Sequence, residues 1–466
     1  DARLATRTAG PARTLDGRTV SVLANVAGPE EAAFAVSRGA DGIGILRTEL
    51  LFLDREEAPS EDEQAELYAQ VLRAAAGRPV VLRLPLEANP FLGHRGVRWY
   101  PFHAGLVRTQ LRAALRASSA GDLRLLVPMV ARPAEMAWVR GQVQEAADAL
   151  RAEGAFQGAA PPLGMMVEVP AAALDLGGFD AVADFFSVGT NDLVQYLFAA
   201  DRDDPALCPA SRGWSPATLR LLAEVARSAR ALGKELSLCG ELASDTRLLP
   251  ALLGLGLDKL SVVPSATPEL KAAIASLDLA GCTDLARAAL AAAGEEEVAD
   301  LLAAFAAARP EPPLVDPELV QLGASCASRD EVIQALVERL ALTGRAEDPD
   351  RLEAAVLARE RTYATGIGHG FAVPHAKFKG LGTGGLAMLR LDRPLDWGAA
   401  DGQPVHTILL LATDGAADTH LRAFARLARR LMDETYRADL AGADTPEAAA
   451  GLLRDGIEAT PALEFP

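Results

Sequence analysis

The amino-acid sequence predicts an α/β protein made of a (β/α)8 TIM barrel followed by a smaller α/β domain. Short apolar runs alternate with amphipathic helical stretches from about residue 20 to residue 265. Most of these runs are apolar throughout, which is typical of parallel strands that are covered on both faces. After a proline-rich stretch at residues 308–313, a second pattern of helices and strands begins. Two α/β domains are therefore predicted.

The first pattern contains eight strand candidates, all rich in apolar or β-branched residues. They are Val20–Val26, Gly42–Arg47, Val80–Pro85, Leu123–Val130, Leu163–Val169, Asp184–Thr190, Glu235–Glu241 and Lys259–Pro264. Amphipathic helices are predicted between them, for example at Pro133–Glu153 and Pro216–Leu232. Eight β/α units over about 250 residues have the size of a (β/α)8 barrel. An open, doubly wound sheet is the alternative to this barrel.

The rest of the chain is predicted to contain a helical region, a linker and a second domain. Residues 266–306 are rich in Ala and Leu and are predicted to be helical, and the prolines that follow suit a semi-rigid linker. In the second domain, helices are predicted at Arg329–Thr343, Asp348–Glu360 and Thr419–Thr435, and strands at Gly366–Val373, Gly385–Leu391 and Val405–Ala412. The predicted division is a lead-in at 1–17, the barrel at 18–305, the linker at 306–316 and the second domain at 317–466.

Composition and charge argue against several classes of function. The net charge of −17 argues against a nucleic-acid partner, because phosphate contacts need a basic surface. No apolar run approaches the roughly 18 residues of a membrane span, and the polar, Arg-rich start shows no secretory signal. Cys208, Cys239, Cys282 and Cys326 form no C-x-x-C pair, so we expect neither zinc nor disulfides, and a cytoplasmic location. Because the chain starts at Asp1 rather than Met, we expect residues upstream.

Polar residues end or follow several of the predicted barrel strands. In barrels of this kind the active site lies at the carboxyl ends of the strands. Arg47, Arg83 and Arg95 would offer forked donors that suit a carboxylate or a phosphate. Glu168 and Asp192 follow neighbouring strands, and two carboxylates with substrate oxygens and water commonly hold Mg²⁺. The sequence therefore predicts a site for an anionic substrate and a metal.

Cys239 ends the seventh predicted strand and could act as an acid at this site. An unperturbed thiol has a pKa of roughly 8.5, so it stays mostly protonated at neutral pH. Each of these residues also has an ordinary structural explanation. Arg47 could pair with Glu49, a carboxylate at a strand end often forms a loop salt bridge, and a lone cysteine in an apolar strand is usually a core residue. Their accumulation at strand ends favours the functional interpretation.

Six motifs of the barrel part are highly specific. They are GIGILRTELLFLDR (42–55), NPFLGHRGVR (89–98), QLRAALRAS (110–118), GMMVEVPAAA (164–173), SVGTNDLVQYLFAADR (187–202) and LCGELASD (238–245). Together they resemble the C-terminal, substrate-binding barrel of Enzyme I of the bacterial phosphoenolpyruvate (PEP):sugar phosphotransferase system, over about residues 18–300. The resemblance implies roles for a set of site residues: PEP contacts by Arg47, Arg83, Arg95 and Arg202, a phosphate contact by Asn191, Mg²⁺ binding by Glu168 and Asp192, and protonation of the enolate by Cys239. It also implies a homodimer formed through the barrel.

The sequence departs from this family in two places. The family has a stretch after the strand-three arginine, roughly Thr-x-Asp-x-Gly-Gly-Asp-Lys and more, whereas only Leu-Pro-Leu-Glu-Ala separates Arg83 from Asn89 here. The usual Trp before Arg95 is His94, a milder change. The family's N-terminal half, which carries the phosphorylated histidine and docks the carrier HPr, has no counterpart in this sequence. We therefore expect the C-terminal portion of a longer protein, or a natural truncated version.

The second domain contains a histidine-bearing motif, TGIGHGFAVPHAK (365–377). Its glycines do not predict a nucleotide site, because a strand-like Phe-Ala-Val-Pro follows them rather than a helix. Pro374 would fix the backbone that presents His375, and a neutral imidazole is a good nucleophile near pH 7. His420 precedes an amphipathic pattern and could supply a second imidazole. From spacing alone, both could also be ordinary surface histidines.

The longer segment ARERTYATGIGHGFAVPHAK (358–377) resembles the phosphorylation site of fructose/mannitol-type IIA domains of the same system. The resemblance covers about residues 317–460. It implies that His375 is phosphorylated, that His420 is the second active-site histidine and that Arg359 supports the phosphate. Enzyme I followed by a IIA domain is the order found in some multiphosphoryl transfer proteins, which also carry HPr.

These resemblances imply a phosphotransferase in which PEP and Mg²⁺ bind at the barrel. The phosphoryl group would pass to a histidine of an N-terminal domain, then to HPr, to His375 and finally to the IIB/IIC components of a permease for a fructose-like sugar. The alternative is a catalytically disabled barrel that serves as a scaffold for a phosphate-responsive regulatory IIA domain. A PEP synthase or dikinase fragment is a third possibility, but such a fragment would not carry the His375 domain.

Overall fold

The computed structural model describes residues 10–51, 58–86, 92–201, 204, 213–308, 313–343, 345–346, 348–362, 364–377, 384–399, 401–413 and 425–458. The chain divides into two compact units, Asp1–Ala308 and Arg309–Pro466. Each unit contains its own sheet and its own hydrophobic core. Among the described residues, every helix is too short or too polar to cross a bilayer.

The first unit is a closed barrel of parallel strands. The strands are β1 (Ala12–Arg13), β2 (Thr19–Val26), β3 (Ile43–Arg47), β4 (Val80–Arg83), β5 (Leu123–Val127), β6 (Leu163–Val167), β7 (Phe186–Gly189), β8 (Leu236–Cys239) and β9 (Lys259–Val262). From β2 onwards each strand pairs in parallel with the next, and β2 also pairs with β9. This closing pair confirms the predicted barrel and excludes the open, doubly wound sheet. The short β1 pairs antiparallel with β2 outside the barrel order.

Helices alternate with these strands. They are α1 (Pro29–Ser37), α2 (Glu61–Ala74), α3 (Ala104–Ala117), α4 (Pro133–Ala152), α5 (Pro170–Leu174), α6 (Thr190–Phe198), α7 (Pro216–Ala231), α8 (Leu249–Gly254), α9 (Thr267–Ala275), α10 (Leu279–Ala291) and α11 (Glu295–Ala308). Local sequence sets several starts. Ser60 and Glu63 form a reciprocal capping box before α2, and proline occupies the first turn of α4 and of α7. The helices predicted at Pro133–Glu153 and Pro216–Leu232 are confirmed to within one residue.

The side chains of the barrel strands divide between two cores because successive residues of a strand point to opposite faces. Leu46, Leu82, Leu125, Met165 and Phe186 belong to the large core that also contains helix residues. The residues next to them in sequence form a separate small cluster: Ile45, Val81, Leu126, Met166 and Phe185, together with Cys239. This second cluster fills the barrel interior, so the Cys239 side chain lies inside the barrel, at the carboxyl end of β8.

The second unit is a mixed six-stranded sheet with helices. Its strands are β10 (Val320–Ala324), β11 (Gly366–Gly368), β12 (Phe371–Ala372), β13 (His375–Lys377), β14 (Gly385–Leu395) and β15 (Val405–Thr413), and its helices are α12 (Arg329–Leu342), α13 (Pro349–Thr362), α14 (Glu434–Gly442) and α15 (Pro446–Glu458). The strand order is β10-β14-β15-β12-β11. The strand β13 pairs with the end of β15, from Leu411 to Thr413, whereas β12 pairs with Thr407 and Ile408 of the same strand. The predicted α/β class of this part is confirmed.

The later part of the chain confirms one prediction and corrects another. Residues 266–306 are helical as predicted, in three separate helices, and the second begins where the Asp278 carboxylate accepts the Gly281 N–H at 2.7 Å. The strand predicted at Gly366–Val373 is two short strands, because His369 and Gly370 turn the chain with φ values of +55° and +82°. The sequence analysis also missed β10, β13 and α15.

The helix predicted at Thr419–Thr435 is wrong as one continuous element. Residues 414–424 lie outside the described residues, helical backbone covers residues 425–430, and a turn follows. Asp433 then starts α14, because its carboxylate accepts the backbone N–H groups of Thr435 and Tyr436 at 2.9 and 3.2 Å.

Candidate active site

Arg47 and Arg83 lie side by side at the carboxyl ends of β3 and β4, where they are paired residues of the two strands. Arg47 is exposed, whereas only 13% of the Arg83 side chain is accessible. The chain turns sharply after Arg47, and the hydroxyl of Thr48 donates a hydrogen bond to the Arg83 carbonyl at 2.7 Å. The strand register therefore places two guanidinium groups at one edge of the barrel mouth.

Glu49 forms an ion pair with Arg83, not with Arg47 as the sequence analysis had considered. Burial alone would lower the pKa of Arg83, but the charges of Glu49 and Glu168 outweigh burial and raise that pKa. Nε of Arg83 and Oε2 of Glu49 are buried without a hydrogen-bond partner among the described residues. Buried polar atoms of this kind are uncommon in folded proteins, and a ligand at the barrel mouth could satisfy them.

Arg95 is 1% exposed and forms an ion pair with Asp192. Its Nη1 lies 2.8 Å from Oδ1 of Asp192, and its Nη2 lies 3.4 Å from Oδ2. The same Nη1 donates to the hydroxyl of Tyr196 at 3.1 Å. Asp192 and Tyr196 are four residues apart on α6 and so lie on one face of the helix. Tyr196 was not singled out from the sequence, although this helical spacing could have indicated it.

Glu168 follows β6 and is 1% exposed. Its Oε1 accepts the backbone N–H of Met129 at 2.7 Å, which the unusual φ of +62° at Met129 helps to present. Burial and the nearby charge of Asp192 raise the pKa of Glu168 to about 7, although Arg83 and Arg95 oppose this rise. The carboxylates of Glu168 and Asp192, which the sequence places after neighbouring strands, are therefore close enough to repel each other.

This pair of carboxylates fits a divalent cation. A cation between Glu168 and Asp192 would relieve the repulsion that raises the pKa of Glu168. Gly189 leaves room beside it, since a Cβ atom there would lie only 2.7 Å from Oε2 of Glu168. No group of three or more His, Cys, Asp and Glu suited to a metal occurs among the described residues. The remaining ligands would therefore be substrate oxygens and water, as is common for Mg²⁺.

Cys239 is 2% exposed at the end of β8. Its thiol donates to the Val188 carbonyl at 3.1 Å, and Ser187 Oγ lies 3.6 Å from the sulfur. Burial raises the pKa of the Cys239 thiol to about 11, and the Ser187 hydrogen bond and the charges of Arg83 and Arg47 offset this only in part. The thiol therefore keeps its proton at neutral pH. Ser187 was not identified from the sequence, because its role depends on the neighbouring strand.

Asn191 lies beside Cys239 through the turn that follows β8. Its Oδ1 accepts the Glu241 N–H at 2.9 Å, and the Thr190 hydroxyl donates to the Cys239 carbonyl at 2.9 Å. Gly240 is required between them, because its φ is +98° and a Cβ atom would lie 2.3 Å from Oγ1 of Thr190.

The predicted PEP contact Arg202 falls outside the described residues.

His375 opens β13 in the second unit and is half-buried. Its Nδ1 lies 3.1 Å from the Val373 carbonyl. A carbonyl oxygen only accepts hydrogen bonds, so this contact assigns the proton to Nδ1 and the lone pair to Nε2. Arg359 is exposed near the end of α13, and His420 falls outside the described residues.

Comparisons with known proteins match both units. A family model described as PEP-utilising enzyme, PEP-binding domain, matches residues 1–279. A second, described as phosphoenolpyruvate-dependent sugar phosphotransferase system, EIIA 2, matches residues 313–455. The two matches fall on the barrel and on the mixed sheet.

Several curated proteins are similar to this chain. The Multiphosphoryl transfer protein of Shigella flexneri is 38% identical over 452 residues, which are 94% of this chain and 54% of that protein. Multiphosphoryl transfer protein 2 of Escherichia coli K12 is 39% identical over 96% of this chain and 55% of its own length. The Phosphoenolpyruvate-protein phosphotransferase of Latilactobacillus sakei is 39% identical over 59% of this chain and 51% of its length. The chain therefore spans about half the length of these relatives.

Proposed function

The chain belongs to the family of PEP-utilising enzymes, and on that premise we propose that it takes part in phosphoryl transfer from PEP towards a sugar permease. The observation that carries the proposal is the convergence of Arg83, Glu168 and Cys239 at one barrel mouth, with the thiol held protonated. The IIA match and the multiphosphoryl transfer relatives support a phosphotransferase of several stations. These relatives are about twice as long as this chain, so the transfer steps that involve other domains belong to the proposal as well.

At the barrel mouth, Arg47, Arg83, Arg95 and Arg202 are the proposed grips for the carboxylate and phosphate of PEP, with Asn191 on the phosphate. The family uses a divalent metal, and we propose Mg²⁺ held by Glu168 and Asp192, which when bound supplies positive charge near the substrate oxygens. A histidine nitrogen forms a bond to phosphorus while the bond from phosphorus to the enol oxygen breaks, and its electron pair stays on that oxygen. Carbon 3 of the resulting enolate then takes the proton of the Cys239 thiol, and pyruvate leaves.

In the second unit, His375 is the proposed phosphoryl acceptor. The Val373 carbonyl keeps the proton on Nδ1, so Nε2 carries the lone pair that attacks phosphorus. A new bond forms between Nε2 and phosphorus, and the bond to the donor imidazole breaks, returning its electron pair to the donor. Arg359 and His420 are proposed to support the phosphate. The proposed partners are HPr, the IIB/IIC permease components and a second copy of the chain through the barrel, in the cytoplasm.

Titration calorimetry of PEP into the chain tests the barrel assignment. We expect PEP binding that requires Mg²⁺ and disappears with a chelator. The arginines bind PEP directly, whereas Glu168 and Asp192 would bind it only through the metal. Glu168→Gln should abolish this binding. Glu153→Gln is the matched control, since Glu153 lies at the surface in an ion pair with Arg112 and should bind PEP normally. A wild-type chain that never binds PEP would favour the disabled scaffold.

Incubation with phosphorylated HPr tests the second station. We expect His375→Ala to lose phosphate uptake completely, because the substitution removes the Nε2 that attacks phosphorus. His369→Asn is the control, since His369 is exposed in the same motif and Asn tolerates its φ of +55°. Equal phosphate uptake by the His375→Ala chain would remove the assignment.

A further inference from the structure

A buried carboxylate lies behind the phosphoryl-acceptor motif of the second unit. Glu360, on α13, is 6% exposed and accepts three hydrogen bonds. The backbone N–H and the hydroxyl of Thr365 donate to it at 2.8 and 2.7 Å, and the indole Nε1 of Trp397 donates at 2.8 Å. Trp397 is itself fully buried. Charge-assisted bonds of this length to a buried carboxylate are strong and fix the groups that donate them.

The hydrogen bonds continue from Thr365 to the imidazole of His375. The Thr365 carbonyl accepts the Val373 N–H at 3.0 Å, and the Val373 carbonyl faces Nδ1 of His375 at 3.1 Å. The Glu360 carboxylate therefore fixes Thr365, Thr365 fixes Val373, and the Val373 carbonyl favours the proton on Nδ1 of the ring. Each link is a backbone or side-chain hydrogen bond within the described residues.

Glu360 also follows Arg359 directly on α13. The carboxylate thus ties the end of the helix that carries the proposed phosphate-supporting arginine to the loop that begins the histidine motif. Glu360 therefore lies between the two parts of the proposed phosphate site, namely Arg359 and the histidine motif.

We propose that Glu360 is a positioning residue for phosphoryl transfer at His375. Through Thr365 and Val373 it holds the imidazole with its proton on Nδ1, and so keeps Nε2 as the nucleophilic nitrogen. It also holds the Arg359 end of α13 beside the motif. This inference rests on the proposed role of His375 as the acceptor.

The test uses the full chain with Glu360→Leu and two measurements. The first is the rate of phosphate uptake from phosphorylated HPr, and the second is the tautomer of His375, read from the ¹⁵N chemical shifts of its ring in the unphosphorylated chain. Leu is similar in size but accepts no hydrogen bond, so all three bonds to the carboxylate are lost. We expect the uptake rate to fall about tenfold or more, as misplaced reacting groups do, and the Nε2-protonated tautomer to appear.

Thr365→Val keeps the test decisive if the Leu variant does not fold. It removes the hydroxyl bond to Glu360 but keeps the backbone N–H and the shape of the side chain. We expect a smaller fall in rate and the same direction of tautomer change. Thr445→Val, at the start of α15, is the matched control and should change neither.

The outcomes separate the inference from its premise. Variants that melt at lower temperature yet keep the wild-type tautomer and uptake rate would make Glu360 a stabilising residue only and overturn the inference. A wild-type chain that takes no phosphate from HPr would overturn the role of His375, whereas the tautomer measurement would still report whether Glu360 sets the ring's protonation.

Discussion

The Arg95 guanidinium is the residue on which the charge balance of the barrel mouth depends. It forms an ion pair with the buried Asp192, and its charge, like that of Arg83, opposes the raised pKa of the buried Glu168. Arg95→Met should lower the free energy of unfolding by about 3 kcal/mol without metal, because removing one partner leaves uncompensated buried charge. Added Mg²⁺ should recover part of the loss, since it supplies the missing positive charge. Urea unfolding with and without Mg²⁺ measures both effects.

A surface arginine provides the control for that substitution. Arg151 forms an exposed ion pair with Asp148 three residues away, so Arg151→Met should cost under about 1 kcal/mol and should not respond to Mg²⁺. If Arg95→Met were as stable as this control, the Arg95 charge would not be needed to neutralise the buried Asp192 and Glu168.

The pKa of Glu168 gives the barrel an unusual pH dependence. A carboxyl whose pKa rises on folding, here from 4.5 to about 7, binds its proton more tightly when folded. Its stabilising contribution is complete below the unfolded pKa and is lost as pH rises through about 7. In metal-free protein, Glu168→Gln should therefore be the more stable chain at about pH 8, by roughly 3 kcal/mol, and lose that advantage towards about pH 4.5.

Urea unfolding of both chains in chelator at several pH values measures this difference. Glu153→Gln is a control of opposite sign, because Glu153 is exposed and its hydrogen bond with Arg112 lowers its pKa; this substitution should make the chain slightly less stable at about pH 8, not more stable. A difference for Glu168→Gln that does not change between these pH values would contradict the raised pKa.

At single residues, the sequence predicted which side chains meet but not how they pair. Strand ends identified Arg47, Arg83, Glu168 and Cys239, because parallel strands bring their carboxyl ends to one rim. Glu49 could not be assigned to Arg83 in advance. That pairing depends on the tight turn after β3, which brings Thr48 and Glu49 over β4, and such a turn has no periodic signal.

At the scale of elements, the hairpin between β11 and β12 is a tightly constrained turn. Gly370 has φ +82°, and a Cβ atom there would lie 2.4 Å from Nε2 of His406. Gly370→Ala should therefore lower the free energy of unfolding by about 3 kcal/mol, through backbone strain of about 1 kcal/mol and a collision with a packed ring. Denaturant unfolding measures the loss.

Gly402→Ala separates strain from collision. Gly402 has a similar φ of +67°, but a Cβ atom there would meet nothing within 4 Å. Only the strain of about 1 kcal/mol is expected for this variant. Equal losses for the two substitutions would show that His406 yields to the added methyl group.

Elements with uniform apolar patterning were predicted well, whereas interruptions inside a periodic pattern were not. The barrel strands are covered on both faces, so their composition identified them. The break at Asp433 was missed because the apolar period continues from residue 425 into α14. An Asp followed by a helix-forming segment was the available signal, since Asp is a preferred cap.

At the scale of the whole molecule, the sequence predicted two domains because hydrophobic patterns stop and restart around a proline-rich stretch. The structure divides at Ala308, and the two family models match on either side of that point. The charge of −17 argued against nucleic acid as a partner and carried no information about the fold. The Cys239 side chain lies in the barrel interior only because β2 and β9 close the barrel. Closure of this kind depends on the whole sheet, so no local sequence pattern specifies it.

Because each unit has its own hydrophobic core, each should unfold as its own cooperative transition. Differential scanning calorimetry of the full chain should therefore resolve two transitions. Arg95→Met should lower the temperature of one and Gly370→Ala that of the other, because the two residues lie in different units. PEP with Mg²⁺ should raise only the transition that Arg95→Met lowers, since a ligand stabilises the unit that binds it. A single transition shifted by both substitutions would mean that the units unfold together.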